Sequence, residues 1–109
     1  MRRRERERFV RLCRDLIAGL GGVPTDEPDR WHLETRHGLL TLRVAENTVS
    51  GPGTVFTRFD DPGRASPHTG CNPHSGKWNM HYFGSWTVAA ALADVEGSLR
   101  SVLPEQQTA

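Results

Sequence analysis

The residues with the strongest chemical potential lie close together in one stretch of the 109-residue sequence. His68, Cys71, His74 and His81 could ligate a metal, because zinc binds imidazole nitrogens and thiolates. The usual C-x-x-C pair of a structural zinc site is missing from this stretch, and Cys71 would supply its one thiolate. We therefore predict neither a bound metal nor another cofactor.

The same stretch could instead support nucleophilic catalysis. The Cys71 thiol would attack the substrate, His74 or His81 would act as the base, and Asp60 or Asp61 would orient that base. No known nucleophile signature surrounds Cys71. A small enzyme built on these residues is therefore an alternative, and the main prediction is a protein without catalytic activity.

A phosphate-binding P-loop is suggested by Gly76-Lys77, but the spacing does not fit. Gly70 and Gly76 enclose five residues where a P-loop has four, and Trp78 follows the lysine where a P-loop has Ser or Thr. Gly76 is better explained as a turn residue that places Lys77 at the start of a strand.

Two amphipathic segments enclose the strand-forming part of the chain. Apolar residues recur at three- and four-residue spacing over residues 4–20, which predicts a helix that ends at Gly21 or Gly22. A second helix begins after Ser85 or Thr87 and ends before Pro104. Alternation and β-branched composition predict four strands between the helices, at 31–36, 40–44, 54–59 and 77–83.

This order predicts an α+β fold built as a two-layer sandwich, α-β-β-β-(long loop)-β-α. Its four-stranded, mostly antiparallel sheet carries both helices on one face. Residues 1–109 form a single domain, with frayed ends at 1–3 and 104–109.

The fourth strand and the loop before it carry the predicted binding surface. Alternation along this strand turns Trp78, Met80 and Tyr82 toward the helices and the intervening residues toward the opposite face. The long loop over residues 60–76 is of the kind that often serves function. The candidate binding residues are Arg58, Asn72, Ser75, Lys77, Asn79 and His81.

Charge and composition narrow the range of partners. The chain has 14 Lys and Arg against 13 Asp and Glu, and this near-neutral balance argues against nucleic-acid binding by bulk charge. We therefore expect a macromolecular partner that is a protein. The alternative is a nucleic-acid-binding module that uses the same sheet face and the arginines of the first 14 residues. Two cysteines and no membrane-length apolar run predict a cytoplasmic protein, and its oligomeric state stays open.

A longer motif links the predicted third and fourth strands. It comprises Arg58-Phe59 and then Asn72-Pro73-x-Ser75-Gly76-Lys77-Trp78-Asn79-x-His81. Over residues 55–83 the chain resembles small uncharacterised proteins of phages, plasmids and other bacterial mobile elements. It differs from them at His74 and Met80, where an aromatic residue is usual. The resemblance implies an accessory protein of a mobile element, a class whose members often bind and block a host component.

Overall fold

The computed structural model describes residues 1–27, 29–45, 54–59 and 79–104. These residues form two helices and five strands, in the order α1 (Arg3–Gly19), β1 (Val23–Pro24), β2 (Arg30–Thr35), β3 (Gly38–Ala45), β4 (Thr54–Phe59), β5 (Asn79–Tyr82) and α2 (Val88–Arg100). None of the helices in these ranges is long and apolar enough to cross a membrane.

Local sequence signals determine where the helices begin and end. Helix α1 is followed by Gly21 at φ 98°, a left-handed conformation that favours glycine, as predicted. Helix α2 begins after Thr87, whose hydroxyl oxygen accepts a hydrogen bond from the Ala90 amide at 3.2 Å. Met1 lies in the stretch predicted to fray, yet its amino group donates to the Gly84 carbonyl.

The strands form one antiparallel sheet in the order β1-β2-β3-β4-β5, which is also their order along the chain. The β2–β3 hairpin turns at Gly38, whose φ of 109° is a left-handed conformation that favours glycine. Strand β1 was not expected from the sequence. It consists of two residues and pairs with Trp31 and His32 of β2.

Both helices pack on the same face of the sheet, which confirms the predicted α+β two-layer arrangement. One hydrophobic cluster joins Phe9, Cys13 and Ile17 of α1 to Val95 and Leu99 of α2. We call the sheet face that completes this cluster the helix face; it carries Trp31, Leu33, Leu40, Leu42, Val44, Val55 and Phe59.

The opposite sheet face, called the far face from here on, carries mostly polar and charged side chains. It includes Arg30, His32, Glu34, Leu39, Thr41, Arg43, Phe56, Arg58 and Tyr82. Both described helices lie on the other side of the sheet, so neither covers this face.

The predicted alternation of the last strand is wrong in phase. Tyr82 was expected to face the helices, but it lies on the far face and is 48% exposed. His81 was expected on the far face, but it is paired with Val55 of the helix face, and Phe83 is fully buried against Phe9. Because the side-chain period of a strand is two, the pairing with β4 determines which set faces the core.

Candidate functional site

Three of the six predicted binding residues lie within the described part of the chain. Arg58 is in β4, and Asn79 and His81 are in β5, with Asn79 paired to Thr57 across the strands. The other three, together with the whole of the 60–76 loop, lie outside the described residues: Asn72, Ser75 and Lys77.

Arg58 and His81 lie on opposite faces of the sheet. Arg58 is paired with Thr41 on the far face, whereas His81 is paired with Val55 on the helix face. Directly paired residues of antiparallel strands project to the same side of the sheet. The prediction that Arg58 and His81 share one binding face is therefore wrong, because strand pairing separates them.

On the far face, a row of polar side chains crosses three strands. His32, Thr41 and Arg58 are direct partners in β2, β3 and β4. Neighbouring strands lie about 4.8 Å apart, so the row places an imidazole and a guanidinium on either side of a hydroxyl. Thr41 is 3% exposed and forms the floor of this row.

A short loop between β1 and β2 stands beside this row. The Thr25 hydroxyl oxygen accepts a hydrogen bond from the Glu27 amide at 3.2 Å, and Arg30 Nε lies 3.0 Å from Glu27 Oε2. The loop and the row enclose a depression of about 240 Å³. Its lining residues are Thr25, Asp26, Glu27, Arg30, His32, Thr41 and Arg58.

An ion pair with an aromatic neighbour lies on the same far face. Arg43 Nε donates to Asp29 Oδ2 at 2.7 Å, and its guanidinium carbon lies 5.5 Å from the Phe56 ring centroid. Partial burial tends to raise the pKa of Asp29, but the hydrogen bond and charge of Arg43, with help from the charge of Arg30, lower it overall. Asp29 is thus held ionised as the acceptor for Arg43.

His81 sits in a different environment at the edge strand β5. Its Nδ1 lies 3.4 Å from Asp94 Oδ2 of α2. Its ring centroid lies 3.9 Å from that of Phe83 with the two planes tilted by 38°, and the Trp86 ring meets it edge-on at 5.5 Å. Neither His81 Nδ1 nor Asp94 Oδ2 has a hydrogen-bond partner among the described residues, so Asp94 lies beside the imidazole without a hydrogen bond that would orient it. No sequence pattern points to Asp94, which flanks the apolar stripe of α2.

The metal and nucleophile alternatives depend mainly on His68, Cys71 and His74, which lie outside the described residues. Within the described ranges, no group of three His, Cys, Asp or Glu side chains that could hold a metal occurs. Cys13 is a buried free thiol, and desolvation raises its pKa to about 12, so it is protonated and unreactive at neutral pH. The proposed nucleophile Cys71 lies outside the described residues.

In comparisons with known proteins, no protein-family model matches the chain, and no curated protein or solved structure matches it either.

Proposed function

We propose that this chain is a non-enzymatic binding protein that engages a macromolecular partner, a protein, through the far face of its sheet. It would act in the cytoplasm as an accessory protein of a mobile element, and its partner would be a host component that it blocks. The motif over residues 55–83 supports the mobile-element part of this proposal. The far face supports the binding part.

The observation that carries the proposal is the mixture of arginine and aromatic side chains on the far face. Arg43 lies against Phe56, Arg58 is half-buried nearby, and Tyr82 is 48% exposed. Arginine and aromatic residues are enriched at the centres of protein interfaces, where they supply most of the binding free energy. Both described helices pack on the other face of the sheet, so neither of them covers these side chains.

The balance of charge on the far face favours a protein over a nucleic acid. Arg30 is paired with Glu27 and Arg43 with Asp29, so carboxylates accompany two of the arginines. Nucleic-acid affinity depends instead on cations that can replace the counterions of many phosphates.

The nucleic-acid alternative uses the sheet face and the arginines of the first 14 residues together as one surface. Helix α1 buries Phe9 and Cys13 against the sheet and exposes Arg4, Arg8 and Arg11 on its outer side. Those arginines and the far face are thus separated by the sheet and α1 itself. One nucleic-acid strand would have to wrap around the domain to contact both.

A small enzyme is the second candidate, and one observation favours it. The approach of 3.4 Å between His81 and Asp94, although not a hydrogen bond, brings together the residue types of the base-and-orienter part of a nucleophilic site. In that case Asp94→Asn would abolish activity while leaving partner capture intact.

The test is capture of a partner with matched arginine variants from the two sides of the molecule. Tagged wild-type protein, Arg58→Ala/Tyr82→Ala and Arg8→Ala/Arg11→Ala would each be exposed to nuclease-treated bacterial lysate. The captured protein would then be purified and titrated against all three by calorimetry. We expect the wild type and the helix variant to bind it equally, and the far-face variant to bind roughly tenfold or more weakly, because interface arginine and tyrosine residues each contribute about 1–2 kcal/mol or more.

Two results would count against the proposal. Equal binding by the far-face variant would exclude the far face as the interface. Capture that occurs only from a parallel, untreated lysate and falls steeply with salt would favour the nucleic-acid alternative. Circular dichroism and thermal unfolding of each variant separate these outcomes from loss of fold.

A further inference from the structure

Tyr82 is an exposed aromatic side chain of the far face, and its ring folds back over Gly84. A methyl group built on the Gly84 Cα would lie 2.6 Å from Tyr82 Cε1, and closer still to its Cζ and hydroxyl oxygen. Carbon atoms that are not bonded to each other pack at about 3.5–4.0 Å. The Tyr82 ring therefore occupies the volume that a side chain at residue 84 would need.

This ring, and not the backbone, accounts for the glycine at residue 84. Gly21 and Gly38 have φ of 98° and 109°, the left-handed region that favours glycine, whereas Gly84 lies outside that region. The three atoms nearest to a methyl group at residue 84 all belong to the Tyr82 side chain. An alanine at residue 84 would thus conflict first with the Tyr82 ring.

The backbone beneath the ring is held on both sides. The Gly84 carbonyl accepts a hydrogen bond from the Met1 amino group. Phe83 is fully buried, and its carbonyl accepts from the Trp86 amide at 2.9 Å. A ring that lies on a fixed backbone has fewer rotamers open to it, and an ordered side chain loses less conformational entropy when a partner binds.

We propose that Gly84 is a positioning residue, whose missing side chain lets the Tyr82 ring lie in one place on the far face before a protein partner binds. The inference rests on the proposed function and deepens it, because it assigns the aromatic contact to a side chain that is ordered in advance. Tyr82 is paired with Thr54, two residues from Phe56, and is therefore a diagonal neighbour of Phe56 on the far face. The ordered ring extends the surface on which Arg43 and Phe56 already meet.

The first measurement needs no partner. Tyr82 is the one tyrosine of the chain, so tyrosine-labelled full-length protein gives a single set of ring signals in nuclear magnetic resonance. We expect nuclear Overhauser contacts between this ring and the Gly84 α protons, and three-bond couplings that report one χ1 rotamer. In Gly84→Ala we expect averaged couplings while circular dichroism and thermal unfolding stay close to the wild type, because a side chain that is 48% exposed can swing away at little cost to the fold.

The second measurement is a calorimetric titration with the captured partner. Gly84→Ala should weaken binding roughly three- to tenfold, since the ring must then be ordered during binding. In the Tyr82→Ala background the same substitution should change the affinity by less than about twofold, because no ring is left to position. Gly97→Ala on α2 is the matched control: a methyl group there meets no atom within 4 Å, so the Tyr82 couplings and the affinity should stay as in the wild type.

Three results would overturn the inference. One is a single, unchanged Tyr82 rotamer in Gly84→Ala, and another is averaged couplings in the wild type itself. The third is equal weakening by Gly84→Ala with and without the Tyr82 ring, a pattern that a general structural effect would produce. If no protein partner binds the far face, the proposed function fails, and the couplings still decide separately whether Gly84 fixes the ring.

Discussion

The two faces of the sheet come from the same five strands but are stabilised in different ways. On the helix face, Leu40, Leu42 and Val44 are fully buried in one apolar cluster with both helices. On the far face, the neighbouring residues Thr41 and Arg43 take part in a polar row and an ion pair. Burial of apolar area drives folding and does not depend on precise side-chain orientation. Polar pairs add little stability, but they fix the positions of their side chains. The helix face therefore holds the fold, and the far face is the one suited to recognition.

The sharpest test of this contrast uses two adjacent leucines of β3. Leu40 is fully buried on the helix face, and Leu39 is half-buried on the far face. We expect Leu40→Ala to lower the free energy of unfolding by about 3 kcal/mol, because it leaves a cavity in the core, and Leu39→Ala by less than about 1 kcal/mol. Urea unfolding of both variants measures the difference. Equal losses would mean that the far face is also packed as a core.

A second test uses the thiol in the helix layer. The pKa of Cys13 is raised to about 12 from 9.0, so above pH 9 the unfolded chain loses a proton that the folded chain keeps. Stability contributed by the neutral thiol is thus complete below pH 9 and falls as pH rises toward 12. We expect a loss of about 2 kcal/mol near pH 10.5 relative to neutral pH.

Cys13→Ala provides the control for that alkaline loss. It removes the buried thiol and leaves the other titrating groups in place, so its unfolding free energy should fall less between pH 8 and about pH 10.5. Parallel pH profiles for the wild type and this variant would contradict the burial of the thiol.

The third test uses the far-face ion pair, which has the opposite dependence on pH. The pKa of Asp29 is lowered, so its contribution to stability is present above the ordinary carboxyl range and is lost as pH falls through the lowered value. We expect Asp29→Asn to cost about 1 kcal/mol at neutral pH and to flatten the acid limb of the stability profile.

A second ion pair, on α2, serves as a reference for the energy of the Arg43–Asp29 pair. Arg100 Nε lies 2.7 Å from Glu96 Oε2, the same distance as in the Arg43–Asp29 pair, but both partners lie on an exposed helix surface. We expect Glu96→Gln to cost about 0.3–0.5 kcal/mol. Double-mutant cycles on both pairs compare them directly. A coupling energy for Arg43–Asp29 no larger than that of the helix pair would show that the far face adds no special stability.

Much of the fold could be read from local patterns along the sequence. Gly21, Gly38 and Thr87 each act on their immediate neighbours, through positive φ or a cap, so their roles follow from residue type and position. The apolar stripe of α1 likewise requires only a period of 3.6 residues. Strand β1 was missed because two residues have no detectable periodicity, and its pairing with β2 is all that defines it.

The candidate site could be predicted only in part. Arg58 was identified from its place in a β-rich segment, and it does line a depression with His32 and Thr41. Its association with His81 was wrong, because the sequence contains the alternation of β5 but not the partner that sets its phase. Asp94 was missed because it meets His81 only once α2 has packed on the sheet.

The sequence by itself determined the order of the elements, the ends of the helices and the apolar surfaces that must be buried, because these depend on neighbours within a few residues. Tertiary structure alone decided which side of β5 faces the core and which distant side chains meet. Those outcomes depend on register between strands that are far apart in the chain, and a shift of one residue would reverse them. That register places Arg58 and His81 on opposite faces of the sheet, and it places Arg58 in one row with His32.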